Sequence, residues 1–271
     1  MAAPQRISKW IDINGFPTFI EIDGSGPAMI CCHGLGGNSN YFQPLVSAFA
    51  SRFTIIRFDF KGMGRTGHDP ENKRRITIPA YVEDLEAIMK AENIPKAILV
   101  GHSLGSVVAM HLAAAKCPEL VQALVLIGPG KSRAQIPPAK VMTLDMARRA
   151  REMGMPAFAD GAVMKNVAPS SSDVVRAFVR ESVAAQSAEG YAQVCEAVCD
   201  ASHVNPDYSK ISCPTVIIAG DQDFIASLLQ CEELQKDIKG SLFRVVNSAH
   251  QQVLEDTTGV VRAIEDLLER V

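Results

Sequence analysis

The sequence predicts an α/β fold: a mostly parallel central sheet flanked by helices and interrupted by one helical insertion. Three observations carry that expectation. Short, wholly apolar runs alternate with stretches of helical spacing, the pattern left by strands that crossover helices bury on both faces. The apolar runs stop near residue 128 and resume only after about residue 209. The 271 residues are enough for one large domain or a core carrying an inserted subdomain. On this reading residues 1–127 and 210–271 form the core and residues 128–209 the insertion.

Residues 7–22, ISKWIDINGFPTFIEI, alternate apolar and polar on either side of Asn14-Gly15, the dipeptide of a tight hairpin turn. PAMICCHG is a short apolar run ending in His33-Gly34 and reads as a buried strand. NYFQPLVSAFAS then has helical spacing, and FTIIRFD is another strand. Residues 77–92 form an amphipathic helix with Val82, Leu85, Ile88 and Met89 on one face. KAILVG is a strand, LGSVVAMHLAAAKCP a helix that Pro118 helps to end, and VQALVLIG a further strand. Helical stretches lie near 138–154, 156–166, 172–186 and 189–200, separated by Pro, Gly and Ser. The strand-helix rhythm returns with PTVIIAG, a helix from about 226, SLFRVVN and a last helix running to Val271.

Composition narrows the function classes. Hydrophobic residues make up 47% and charged residues 21%, ordinary for a soluble globular protein. A net charge of -3 gives no field favouring nucleic acid or an anionic membrane. The basic run Lys73 to Arg75 is short and reads as a solvated loop. The opening MAAPQRISKWIDING lacks the apolar segment of a secretory leader, and no apolar stretch reaches the roughly 18 residues of a membrane span. A soluble, cytoplasmic protein is expected. The seven cysteines contain no C-x-x-C pair, which argues against zinc ribbons and thioredoxin-like redox sites. Cys31 and Cys32 read as small core residues, and Cys195 and Cys199 share a helix without completing a metal set. Reduced thiols are expected.

In an open parallel sheet, ligands bind at the carboxyl ends of the strands. The segments after the strands are HGLGGN (33–38), DFKGMGRTG (59–67), GHSLG (101–105), GDQD (220–223) and SAHQ (248–251). They carry a Ser, acids and a His, in the chain order Ser, Asp, His. VGHSLGS matches G-x-S-x-G, the strand-to-helix turn on which α/β-hydrolases hold their nucleophile. With HG-x-G upstream and an acid and His downstream, the chain resembles the α/β-hydrolase family over nearly its whole length, and the insertion stands where that family keeps its cap. IGPGKS suggests the end of a phosphate-binding loop, but Val125 occupies the position where that motif needs Gly.

The resemblance implies roles. Ser103 would be the nucleophile, since a serine hydroxyl needs only a base within reach to attack a carbonyl. Gly101 and Gly105 lack the Cβ that would obstruct so sharp a turn. His250 would be the general base and then the general acid. His102, beside the nucleophile, is not expected to be the base; His33 is expected to be structural, and His68, His111 and His203 are weaker candidates. Of Asp221 and Asp223, the family's G-x-x-D pattern selects Asp223 as the acid that orients the imidazole. The proline common shortly after that acid is missing from DFIAS. The backbone N–H groups of Leu35 and Leu104 would form the oxyanion hole. Asp59 would organise its own loop, with Thr66 where the family more often has Ser.

Within the family, length and insertion most resemble small lactonases and esterases of the 3-oxoadipate enol-lactonase kind. The resemblance implies a small-molecule ester or lactone substrate, an acyl-enzyme on Ser103, and no cofactor or metal. Lys131 and Arg133, where the chain enters the insertion, are candidates for meeting a substrate carboxylate. The Met- and Ala-rich stretch 140–164 reads chiefly as packing. A carbon-carbon bond hydrolase, a perhydrolase and a ligand-binding receptor would keep the same three residues, and the sequence leaves these open, along with the oligomeric state.

Overall fold

A computed structural model describes residues 6–271 of the chain; residues 1–5, part of the segment in which no leader was expected, lie outside it. The described residues form one eight-stranded sheet: β1 (Ile7–Ile13), β2 (Phe16–Gly24), β3 (Ala28–Cys32), β4 (Thr54–Phe58), β5 (Ala97–His102), β6 (Val121–Ile127), β7 (Thr215–Gly220) and β8 (Leu242–Val246). Their spatial order is β1-β2-β4-β3-β5-β6-β7-β8. β1 and β2 are the antiparallel hairpin, with Asn14 and Gly15 both at positive φ, and β2 pairs antiparallel with β4. Every other pairing is parallel. The chain leaves β3 for β4 on one side and then crosses to β5 on the other. The order therefore reverses at β3, and a crevice opens beyond the carboxyl ends of β3 and β5.

Alternation along the strands fills two cores. Ile30, Cys32, Leu99, Leu124, Leu126 and Ile217 face α2 (Ile78–Ala91), α3 (Leu104–His111) and α8 (Leu228–Asp237). Met29, Cys31, Ile98, Val100, Val125 and Ile218 face α1 (Gln43–Phe49) and α10 (Thr257–Leu268). Burial on both faces is why these strands read as unbroken apolar runs. All seven thiols are free, and burial pushes those of Cys31, Cys195 and Cys231 up to about 12, so they sit as inert core groups.

Between β6 and β7 lie four helices: α4 (Pro137–Met153), α5 (Met155–Asn166), α6 (Asp173–Ala184) and α7 (Ala188–Cys199). Ser172 and Ser187 cap α6 and α7 by accepting from the N–H groups of Val175 and Gly190. These helices have their own small core of Ala147, Ala150, Met155, Phe158, Val183 and Tyr191, and Leu35 from the rim packs into it. Gln186 extends the contact. Its Nε2 donates to the carbonyls of Gly36 and Gly37 at 3.3 Å, and its Oε1 accepts the Gly64 N–H at 2.9 Å. The insertion thus covers the carboxyl rim of the sheet.

Two elements differ from expectation. The helix after β5 is regular only to His111 and widens into a π-type turn over Leu112–Lys116 before Pro118. The last helix is broken: α9 (Gln252–Glu255) is a single turn, and α10 starts anew after Asp256. Asp256 leaves helical geometry to cap α10 through the Gly259 N–H and to accept the Asn247 N–H. Among the described residues no helix is long and apolar enough to cross a membrane.

Candidate active site

Ser103 sits on the turn from β5 into α3 with φ 51° and ψ −111°, a geometry that costs a non-glycine residue about 1–3 kcal/mol. The surroundings hold it there. The Ser103 N–H donates to the Ile127 carbonyl at 2.9 Å, and the Ser106 hydroxyl bridges back to the Gly101 carbonyl at 2.6 Å. Gly101 and Gly105 are required by contact: a Cβ on Gly101 would lie 2.5 Å from the Ser106 backbone, and one on Gly105 only 1.9 Å from the Cys32 carbonyl oxygen on β3. The turn lifts the Ser103 side chain onto the rim and aims the N-terminus of α3 at the space beside it, which favours negative charge there.

From the loop after β8, His250 brings Nε2 to 3.0 Å from Ser103 Oγ. Its Nδ1 lies 2.7 Å from Asp223 Oδ2, on the loop after β7. An ionised carboxylate only accepts, so Nδ1 carries the proton and Nε2 presents a lone pair to the serine hydroxyl. Burial works to raise the Asp223 carboxyl; His250 and the N–H groups of Ala226 and Ile225 outweigh it and hold the group below its ordinary value. Both N–H groups reach Oδ1, at 2.9 and 2.8 Å. Asp221 lies exposed and accepts the Ser248 N–H at 3.0 Å, bracing the loop that carries His250.

The other histidines have different partners. His102 donates from Nε2 to the His250 carbonyl at 2.8 Å and stacks on Tyr41, 4.3 Å between centroids. Burial and then the neighbouring His250 push it down to about 3, so it is neutral and braces the His250 backbone. His33 accepts the Phe60 N–H on Nε2 at 3.1 Å, which puts its proton on Nδ1, 2.8 Å from the Gly34 carbonyl. That bond shapes the turn bearing Leu35. Among the described residues neither the Leu35 nor the Leu104 N–H has a protein acceptor. Asp59, fully buried, accepts the Ser39 and Arg65 N–H groups at 2.6 and 2.7 Å, organising the neighbouring loop.

Fold and rim thus gather Ser103, Asp223 and His250 into one hydrogen-bonded chain, with Leu104 next to the serine and Gly34, which precedes Leu35, so close that a Cβ there would lie 3.2 Å from Ser103 Cβ. Lys131 is not gathered with them. Its ammonium pairs with Asp237 at the end of α8, 2.9 Å away, and lies over the Tyr208 ring. Arg133 donates to Thr143 on α4 at 2.8 Å, and its charge reaches Tyr191, Cys195 and Cys199 on α7.

Three residues at the site escaped the sequence reading. Gln252 donates to Asp223 Oδ2 at 3.0 Å. Asn166, at the end of α5, offers its carbonyl to the His250 N–H at 3.1 Å. Glu255 accepts from the Ala168 N–H and the Ser171 hydroxyl of the insertion on one oxygen, and from the Gln251 N–H on the other. The insertion and the His250 loop are therefore tied together. None has a signal in periodicity or spacing, because each acts through a contact between segments distant in sequence.

The architecture and the matched model define the class. The chain belongs to the alpha/beta hydrolase fold family, whose model matches residues 27–193. Among its relatives is 3-oxoadipate enol-lactonase 2 of Acinetobacter baylyi, 28% identical over 259 residues that span 94% of this chain and 92% of that protein. A 2-(acetamidomethylene)succinate hydrolase of Mesorhizobium japonicum is 35% identical over 132 residues, 47% of this chain and 44% of its own. In three dimensions the chain is similar to the crystal structure of the enol-lactonase from Burkholderia xenovorans, with a TM-score of 0.85 and 25% identity over 96% of this chain and all of that one. Family and relatives support hydrolase activity on a small molecule.

Proposed function

We propose that the protein is a serine hydrolase that cleaves a small ester or lactone through an acyl-enzyme on Ser103. The observation that carries the reading is the continuous chain from Ser103 Oγ through His250 to buried Asp223, together with two backbone N–H groups, of Leu35 and Leu104, that have no acceptor among the described residues. Ser103 attacks the carbonyl carbon while His250 Nε2 takes its proton. Asp223 holds the tautomer and stabilises the imidazolium. The Leu35 and Leu104 N–H groups meet the oxyanion. The tetrahedral intermediate collapses as His250 protonates the leaving alkoxide, which in a lactone stays attached to the acyl chain. Water, deprotonated by the same imidazole, then releases the carboxylic acid and restores Ser103. Every proton is accounted for within the site and the solvent.

The insertion is proposed as a cap that shapes the acyl pocket, since Leu35 packs directly into its core. Of the two cationic candidates, Arg133 is the one kept for a substrate carboxylate. Among the described residues it makes no ion pair, and its charge faces the α7 surface that carries Tyr191, next to Leu35. The enol-lactonase relatives favour a lactone that bears such a carboxylate.

Wild type and Ser103→Ala are compared on p-nitrophenyl acetate and on a panel of lactones and short esters followed by pH-stat. Hydrolysis should disappear in the variant while its circular dichroism is unchanged. Wild-type turnover by Ser103→Ala would overturn the nucleophile. Turnover of wild type stopping near one equivalent would favour a ligand-binding receptor instead.

A further inference from the structure

We infer that Gln252 is a positioning residue for the Asp223–His250 pair, setting the basicity of His250 by sharing the carboxylate oxygen that His250 uses. The inference rests on the proposed hydrolase reading. Asp223 Oδ2 accepts two hydrogen bonds, from His250 Nδ1 at 2.7 Å and from Gln252 Nε2 at 3.0 Å. Gln252 is wholly buried, and its Oε1 has no partner among the described residues. The amide orientation follows from chemistry: turned over, it would press an oxygen against the carboxylate. A fully buried amide with an orphaned oxygen is a costly residue for filling space, and Leu or Met would fill the same volume without that cost. The fold also makes room for it. The residue after β6 is Gly128, where a Cβ would lie 2.8 Å from Gln252 Nε2 and 3.3 Å from His250 Nδ1.

The consequence is directional. Ile225 and Ala226 fix Oδ1, and Gln252 fixes the rotation of Oδ2 toward Nδ1. Its N–H also draws charge from Oδ2, so the carboxylate holds the imidazolium less tightly than it would alone. Without that donor Asp223 becomes more basic, protonated His250 is favoured, and the neutral base is present only above a higher pH. The other titratable groups facing the pair are His102, Tyr41 and Cys231, with His33 behind His102 and Glu255 behind Tyr41.

The test is Gln252→Met, close in shape and without a donor, with Gln252→Leu as a second variant and thermal melting to verify the fold. The pH dependence of kcat/KM on p-nitrophenyl acetate should show its acid limb moved upward by about half to one pH unit, the order one charge-assisted hydrogen bond confers. In a Ser103→Ala background, proton NMR should show the low-field His250 Nδ1–H resonance displaced by the same substitution. An acid limb and resonance both at their wild-type positions in a folded variant would overturn the inference and make Gln252 a space-filler. Wild-type turnover by Ser103→Ala alone would instead overturn the reading beneath it.

Discussion

Asp223→Asn replaces one carboxylate oxygen with an NH2 group in a pocket built entirely of donors. Four groups surround the carboxylate: the Ile225 and Ala226 N–H groups on Oδ1, His250 Nδ1 and Gln252 Nε2 on Oδ2. An asparagine must point its NH2 at one of these pairs. The backbone N–H groups cannot turn away, so the amide oxygen takes their side and the NH2 faces His250. The imidazole then relieves the donor-donor conflict by moving its proton to Nε2. There it donates to Ser103 Oγ instead of accepting from it, and the base is lost. A wrong tautomer in such a chain costs roughly ten-thousand-fold in kcat. Asp221→Asn removes only the charge from an exposed side chain that braces the Ser248 N–H, and should stay within about tenfold, the scale of a lost bond of about 1 kcal/mol. Steady-state kinetics on p-nitrophenyl acetate read both. Asp223→Asn within tenfold of wild type, or Asp221→Asn as the more damaging change, would show that Asp223 does not set the tautomer of His250.

Gly105→Ala should destabilise the fold by about 1–3 kcal/mol or more, since its Cβ would meet the Cys32 carbonyl on an interior strand and the helix-propensity gain of about 1 kcal/mol cannot offset that. Gly130→Ala, whose Cβ would meet only Val107 at 3.8 Å, serves as the tolerated control in urea denaturation. Burial holds His33, His102, His111 and His203 below the ordinary value of 6.5, His102 down to about 3 and His111 to about 4. The unfolded chain therefore binds protons the folded chain refuses, and stability falls below pH 6.5, by at most about 1.4 kcal/mol per pH unit each for His102 and His111 until their folded values are reached, with His33 and His203 acting in the same direction. Asp223, held low, adds stability that disappears only at more acid pH, as its folded carboxyl is protonated. Equal urea midpoints at about pH 7.5 and pH 5 would contradict this. Arg133→Ala should raise KM several-fold for a carboxylate-bearing lactone and leave p-nitrophenyl acetate unchanged, whereas Lys131→Ala should affect neither.

What the sequence disclosed and what it hid divide by range. Strands buried on both faces become apolar runs, so the sheet was legible wherever helices cover it, and Asn14-Gly15 marked the hairpin. The Ser103 turn was legible because the glycines it requires, Gly101 and Gly105, stand within two positions of it, although the contacts that demand Gly105 and hold the Ser103 N–H come from Cys32 and Ile127. His250 and Asp223 were legible only because parallel strands deliver their ends to one rim. The break at Asp256 was not, since its cause is a hydrogen bond to Asn247 across a loop. Lys131 and Arg133 are two residues apart and looked equivalent in sequence. Asp237, 106 residues away, separates them by engaging the lysine.

Contacts of the same long range couple the insertion to the chemistry. The backbone of His250 is held at its N–H by Asn166 of the insertion and at its carbonyl by His102 of the core. Glu255 repeats the pattern one turn later, gripping Ala168 and Ser171 on one side and Gln251 on the other. Leu254 adds an apolar contact to Val163, Val167 and Val179. An insertion hinging as a whole would break the Asn166, Ala168, Ser171 and Leu254 contacts at once and leave His250 held by the core alone. Access to the site is therefore expected through motion of α4 and its approach, residues 131–136, rather than through the α5–α6 side. Hydrogen exchange tests this directly: Glu255→Ala should raise exchange at 166–171 and 250–252 together, while in the wild type those segments stay protected and 131–142 exchange first. Early exchange at 166–171 in the wild type would place the hinge on the side that holds the base.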